Sequence, residues 1–127
     1  MNNPYIHIKR RKVPLYGGYL AIVLTNDLHL LKTKVDPNFS RDYVYAHAIH
    51  LNYKSRETFC IVLNIDSDQK NISPGVVSHE ALHITSFIAD TRGFVADFNN
   101  DEPLAYLQGW VTDQVHKFIK EKGKKLK

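Results

Sequence analysis

His79-Glu80-Ala81-Leu82-His83 is the stretch of this chain where residue type and spacing combine into a reactive unit. Histidines four apart on a helix stand one above the other on the same face, so both imidazoles can reach one ion at about 2.0–2.1 Å. Glu80 follows His79 and is turned from it by about 100° around the helix axis, which keeps it off the ion but near a water bound there. A zinc ion lowers the pKa of such a water from 15.7 towards about 7, and a neighbouring carboxylate can take the proton. The chemistry predicted from these five residues is hydrolysis with zinc as cofactor, His79 and His83 as ligands and Glu80 as general base.

A catalytic zinc takes three protein ligands and leaves a fourth position to water, so a third ligand is expected. Glu102 is the best-placed candidate: it lies nineteen positions after His83 and opens a second helical segment, which a turn near Gly93 can fold back on the first. Asp90, Asp97 and Asp101 compete for the role, and Asp90 needs no chain reversal. Glu102 also has a plainer use, since an acid at a helix N-terminus gains about 0.3–1 kcal/mol from the backbone dipoles. Helical spacing puts Glu102, Tyr106, Gly109 and Asp113 on one face, with Gly109 permitting close helix approach. Asp113 is about 16 Å along the axis from Glu102, too far to share an ion with it. The other histidines make weaker ligands. His47 and His50 fall on opposite faces of a strand, and His7 and His29 have no second ligand at metal spacing. Asp66 and Asp68 read as a turn, because a calcium loop would need a fuller set of spaced oxygens.

The elements that must position this motif can be read around it. Ser73-Pro74-Gly75 begins a helix well, with a hydroxyl to cap it and proline at its first position. Apolar Val76, Val77, Ala81, Leu82, Ile84, Phe87 and Ile88 carry it to about Asp90, and Gly93 stops it. A second helix starts at Asp101-Glu102-Pro103, capped by Asp101 or Asn100. Leu104, Leu107, Val111, Val115 and Phe118 form its apolar stripe. Before them, Tyr5–Ile8 is a short, weak strand, Gly18–Thr25 is a buried strand or a helix start, and Tyr43–His50 alternates. Thr58–Ile65 is apolar and β-branched, and the short link from Asn52 to Arg56 predicts a hairpin between these last two. Strands first and helices after them predict an α+β domain.

His79-Glu80-Ala81-Leu82-His83 with a downstream Glu on a second helix resembles the gluzincin branch of zinc metallopeptidases. Together with Asp101-Glu102-Pro103-Leu104-Ala105-Tyr106-Leu107-Gln108-Gly109-Trp110 it resembles the small peptidases carried by bacteriophages and mobile elements. The resemblance covers roughly the last 50 residues. It implies zinc held by His79, His83 and Glu102, Glu80 as general base and acid, and cleavage of a peptide or protein substrate. Larger gluzincins often carry an Asp four residues after the ligand Glu, where it orients a zinc-bound His. Tyr106 stands there in this chain, either donating a hydrogen bond to a ligand or the developing oxyanion, or packing. The fold expected is a minimal zincin-like domain, a small mainly antiparallel sheet packed on the active-site helix and a second C-terminal helix. An edge strand would hold the substrate by strand addition.

Composition narrows the alternatives. The 127 residues make one domain over 1–127, with 43% apolar residues to fill a core and a basic, partly disordered tail expected over about 120–127. No apolar stretch approaches the roughly 18–20 residues that cross a bilayer. Met1-Asn2-Asn3-Pro4 lacks the order of a signal peptide, so the expected location is cytoplasmic, or the host cytoplasm or virion for a phage protein. Cys60 is the single cysteine and reads as inert core filling. Lys9–Lys12 supplies four positive charges and the tail from Lys117 six lysines against Glu121, while Val13–His116 carries seven Lys/Arg against twelve Asp/Glu. Such an acidic body with two basic ends reads first as having solvated, partly disordered termini. Its second reading is weak contact with nucleic acid or another polyanion. Two rival functions follow, a catalytically silent zinc-binding structural or interaction module and a nucleic-acid-associated protein using its basic termini.

Overall fold

Continuous apolar runs and alternating ones call for different places in a sheet, and this chain has both. The computed structural model describes residues 3–39, 46–65, 72–95 and 97–126 as a small α+β domain. Its strands are β1 (Ile6–Lys12), β2 (Tyr19–Thr25), β3 (Ala46–Tyr53) and β4 (Arg56–Asn64), and its helices α1 (Leu28–Lys34), α2 (Pro74–Arg92) and α3 (Glu102–Leu126). The four strands form one sheet in the order β1-β2-β4-β3. β2 and β4 occupy the middle because their side chains are apolar on both faces. Leu20, Ile22, Leu24, Phe59, Ile61 and Leu63 are buried beneath α2 and α3. Ala21, Val23, Cys60 and Val62 are buried on the other side with Leu31 and Phe39.

The sheet is mixed, with two of its three strand pairs antiparallel, in keeping with the mainly antiparallel sheet expected. β1 with β2 and β3 with β4 are antiparallel, but the central pair β2–β4 is parallel, Tyr19 lying opposite Thr58. A parallel neighbour needs a crossover and cover on both faces. The segment from α1 through β3 supplies the crossover. α1, not foreseen from the sequence, helps cover the second face, and its N-cap Asp27 accepts a 2.9 Å hydrogen bond from the His29 N–H. The expected β3–β4 hairpin is present and closes at Tyr53 opposite Arg56. Lys54 and Ser55 turn it at φ +51° and +62°. β1 is longer than expected: Lys9–Lys12, read as a solvated end, forms its second half as an edge strand. Charged residues on an edge strand also discourage pairing with other chains. Tyr43–Tyr45 and the Asp66–Asp68 turn lie outside the described residues.

The two long helices follow their sequence signals closely. Ser73 Oγ accepts from Val76 N–H at 3.2 Å, Pro74 opens α2, and Gly93 closes it at φ +78° while the Phe94 N–H donates to the Ala89 carbonyl at 3.0 Å. On α3 the stripe is buried at Leu107, Val111, Val115 and Phe118 and half-buried at Leu104. The helix is drawn to Leu126. The N-terminal half of α2 meets α3 where Gln108 Nε2 donates to Ser78 Oγ at 3.3 Å. The C-terminal end of α2 and the start of α3 both lie at Tyr16, so the two helices are antiparallel.

Candidate metal centre

His79 and His83 project from α2 on the flank facing β3. The repeat of four residues brings their Nε2 atoms to 3.2 Å, with ring centroids 4.9 Å apart and planes at 74°. Two nitrogens each about 2.05 Å from one zinc ion and 3.2 Å from each other subtend about 103° there, close to the tetrahedral angle. The same distance also fits an imidazole N–H donating to the other imidazole. Both rings are exposed, where such a bond adds little to stability. The pair therefore has the geometry of two ligands without requiring the fold to hold it for any other purpose.

Glu80 occupies the inner side of the motif. The residue is only 8% exposed, and Oε2 lies 3.8 Å from His79 Nε2. Among the described residues no hydrogen-bond donor satisfies its carboxylate. Its side chain keeps 11% exposure, on the side that faces a cavity. This cavity of about 380 Å³ is lined by Ala46, His47 and Ala48 of β3 and by His79, Glu80, His83 and Phe87 of α2. β3 is an edge strand, and Ala46 and Ala48 keep that wall low. His47 and His50 take opposite faces, as expected: the His47 ring meets Phe39 at 6.2 Å on the α1 side, while His50 lies against Phe87 at 6.3 Å.

An ionic clamp absent from the sequence reading fixes the cavity wall. Arg92, the last residue of α2, donates to Glu57 through Nη2 at 2.6 Å and Nη1 at 3.3 Å, and through Nε to the Tyr16 carbonyl at 2.6 Å. Glu57 Oε2 also meets His50 Nε2 at 3.1 Å. The His50 ring stacks on Phe59 at 4.8 Å, and so carries the clamp to Phe87. The hydrogen bonds from Arg92 hold the Glu57 carboxyl below its ordinary pKa. Gly18 leaves room for this: a Cβ there would come within 3.0 Å of the Phe59 ring and 3.3 Å of Arg92 Nη2. The signal in the sequence was a Gly-Gly pair, with nothing to tie it to Arg92.

The other site residues fall elsewhere. Among the described residues no group of three His, Cys, Asp or Glu is placed to hold a metal, so neither Glu102 nor Asp90, Asp97 or Asp101 joins the pair. Ser78 touches α3, and at about 100° per residue the His79–His83 direction lies about 120° around α2 from it. Glu102 is exposed and, by the Ser78–Gln108 register, level with Ile84 along the axis, but it forms no ligand group with the pair. Tyr106 is 72% exposed and belongs to a separate apolar groove with Pro14, Leu15, Tyr16, Pro103 and Trp110. Glu102, Tyr106, Gly109 and Asp113 are all exposed, and Gly109 would meet nothing within 4 Å if it carried a Cβ, so it does not serve close helix packing. Cys60 is fully buried, and desolvation pushes its thiol up to about 12. No family model, curated protein or solved structure matches this chain.

Proposed function

We propose that this protein is a zinc-dependent hydrolase of the metallopeptidase kind, with the zincin-like character that its H-E-x-x-H helix implies. The observation that carries the reading is the 3.2 Å convergence of His79 and His83 Nε2 beside a mostly buried Glu80 in one open cavity. His79 and His83 would hold the ion, and Glu102 is the proposed third ligand. Zinc would supply Lewis acidity to the scissile carbonyl and to water. Glu80 takes the proton of the attacking water and returns it to the leaving amine, a role its place at the cavity floor suits. Among the described strands β3 lies at the sheet edge beside the cavity, and such an edge can pair an extended peptide through its backbone. Phe87, held by His50, borders the space where side chains of that peptide would lie.

The test is the Glu80→Gln variant, assayed for metal content and for cleavage of a pool of quenched fluorogenic peptides. Full zinc with cleavage lowered at least a hundredfold is expected, the low end of what general acid–base catalysis contributes being about 10². Unchanged cleavage by the variant would remove Glu80 from the mechanism. A silent zinc-binding module is the second reading, favoured by the lack of a third ligand beside the pair among the described residues. Stoichiometric zinc with no wild-type cleavage of any peptide in the pool is its signature.

A further inference from the structure

The run Lys9–Lys12 is more than a guarded edge. Alternation along β1 sends Arg10 and Lys12 to the sheet face opposite α2, the face of Ile6 and Ile8. On β4 the same face receives Arg56, and Lys54 stands in the turn beside it. α1 and Phe39 cover this face elsewhere, while Lys12, Lys54 and Arg56 are exposed. Four cations thus gather around Tyr19 and Tyr53. The Arg10 guanidinium lies over the Tyr19 ring at 4.6 Å and within 5.7 Å of the Tyr53 centroid, and Lys54 Nζ lies 5.5 Å from Tyr53. Arg10 Nε is buried without a hydrogen-bond partner, and among the described residues no carboxylate pairs with any of the four. Edge protection accounts for Arg10 and Lys12 but not for Lys54 and Arg56, which sit on the far side of β2.

We propose that this end of the sheet binds single-stranded nucleic acid through its phosphates. A guanidinium held over an aromatic ring keeps its planar fork of donors and can present it to a phosphate. Lys12 and Arg56 are separated by two strand spacings and a two-residue offset along the strand, about 12 Å in all, room for one phosphodiester chain. The tyrosine rings lie beneath Arg10, and Tyr53 is only 8% exposed, so they are not free for bases to stack on. Binding is therefore indifferent to base sequence.

The experiment is fluorescence anisotropy of a labelled 12-nucleotide DNA of mixed sequence, titrated with the full chain at salt from 50 to 200 mM. Four contacts on a single strand give a slope of log affinity against log salt near −2.8, which is about 50-fold weakening over that range. The Lys12→Gln/Lys54→Gln/Arg56→Gln variant, altered only at exposed positions, leaves Arg10 alone, with a slope near −0.7 and about threefold weakening. Lys117→Gln/Lys120→Gln on α3 leaves the wild-type slope unchanged, and oligo-dT binds as the mixed sequence does. No binding at 50 mM salt, an unchanged slope in the triple variant, or an equal loss in the α3 variant overturns the proposal. So does binding to phosphatidylserine vesicles without binding to the oligonucleotide. The His79–His83 centre lies across the sheet and is untouched by these substitutions, so this test stands or falls apart from the hydrolase reading.

Discussion

Zinc should stabilise the wild-type protein and leave His83→Ala unmoved, and the size of the effect follows from what the two imidazoles do in the fold. His79 and His83 are exposed, and neither belongs to the buried core. Removing the His83 ring from metal-free protein therefore falls in the class of surface changes, within about 0.5 kcal/mol. The ion is different, because it binds the folded pair and not the separated residues of the unfolded chain. At free zinc one hundred times its dissociation constant, the folded state gains about 2.7 kcal/mol. Unfolding entropy near 60 °C is about 2.1 cal/mol/K per residue, so for 127 residues that gain raises the Tm by about 10 °C. Differential scanning fluorimetry of both proteins, with and without micromolar zinc after chelator treatment, measures the double difference. A rise of similar size in wild type and His83→Ala would place the metal elsewhere. No rise in wild type would remove the metal centre altogether.

Three further outcomes test the surrounding fold. Ser55 holds φ +62° with no glycine to relieve it, so Ser55→Gly should stabilise by about 0.5–1 kcal/mol, read as a higher denaturant midpoint at unchanged slope. The Glu57 carboxyl is held below its usual pKa by Arg92, so its stabilising effect is present above the ordinary glutamate range and lost as pH falls through the lowered folded value. The Tm gap between wild type and Glu57→Gln should therefore be widest near neutrality and close on acidification; a gap independent of pH would assign the loss to packing. Cys60, fully buried with its thiol pushed up to about 12, should resist a thiol reagent at pH 8 until denaturant is added. Stoichiometric labelling of native protein within minutes would contradict that burial.

The legible parts of this chain were those where one local cause suffices. Ser73-Pro74 and Gly93 set the ends of α2 through capping geometry that depends on a few neighbouring residues, and the Leu107–Phe118 stripe declares the buried side of α3. The Asn52–Arg56 link declares its hairpin for the same reason. What the sequence hid was pairing between distant segments. β2 and β4 are continuous apolar runs, and such runs tell that a strand is covered on both faces without telling its partner or direction. α1 has one buried residue, Leu31, and too little apolar periodicity to stand out in seven residues. Arg92 and Glu57 are thirty-five positions apart, and neither is unusual where it stands. In the candidate centre the helical spacing of His79 and His83 was readable, but the flank that α2 would offer to α3 was not.

That flank decides how a third ligand can be recruited. Rolling the whole of α3 to bring Glu102 round would expose Leu107, Val111, Val115 and Phe118, each at most 3% exposed. At about 1.5–3 kcal/mol for each buried side chain, the roll would cost about 6–12 kcal/mol, comparable to the whole stability of a domain this size. The first turn is held far more lightly. The connection is shaped by the Asn99 N–H donating to Asp97 at 2.9 Å and the Ala105 N–H donating to the Asp101 carbonyl at 2.9 Å, and Leu104 is only half-buried. Opening that turn sacrifices a few hydrogen bonds at about 1 kcal/mol each, which an added charged ligand can offset. Glu102 should therefore join the ion by local rearrangement of 97–104, with the rest of α3 unmoved. Amide chemical-shift changes on zinc addition should be confined to that segment and to residues around His79 and His83. Glu102→Ala should weaken zinc binding at least tenfold in isothermal titration. An unchanged affinity in that variant would leave the ion with two imidazoles and solvent, and would favour the silent module over the hydrolase.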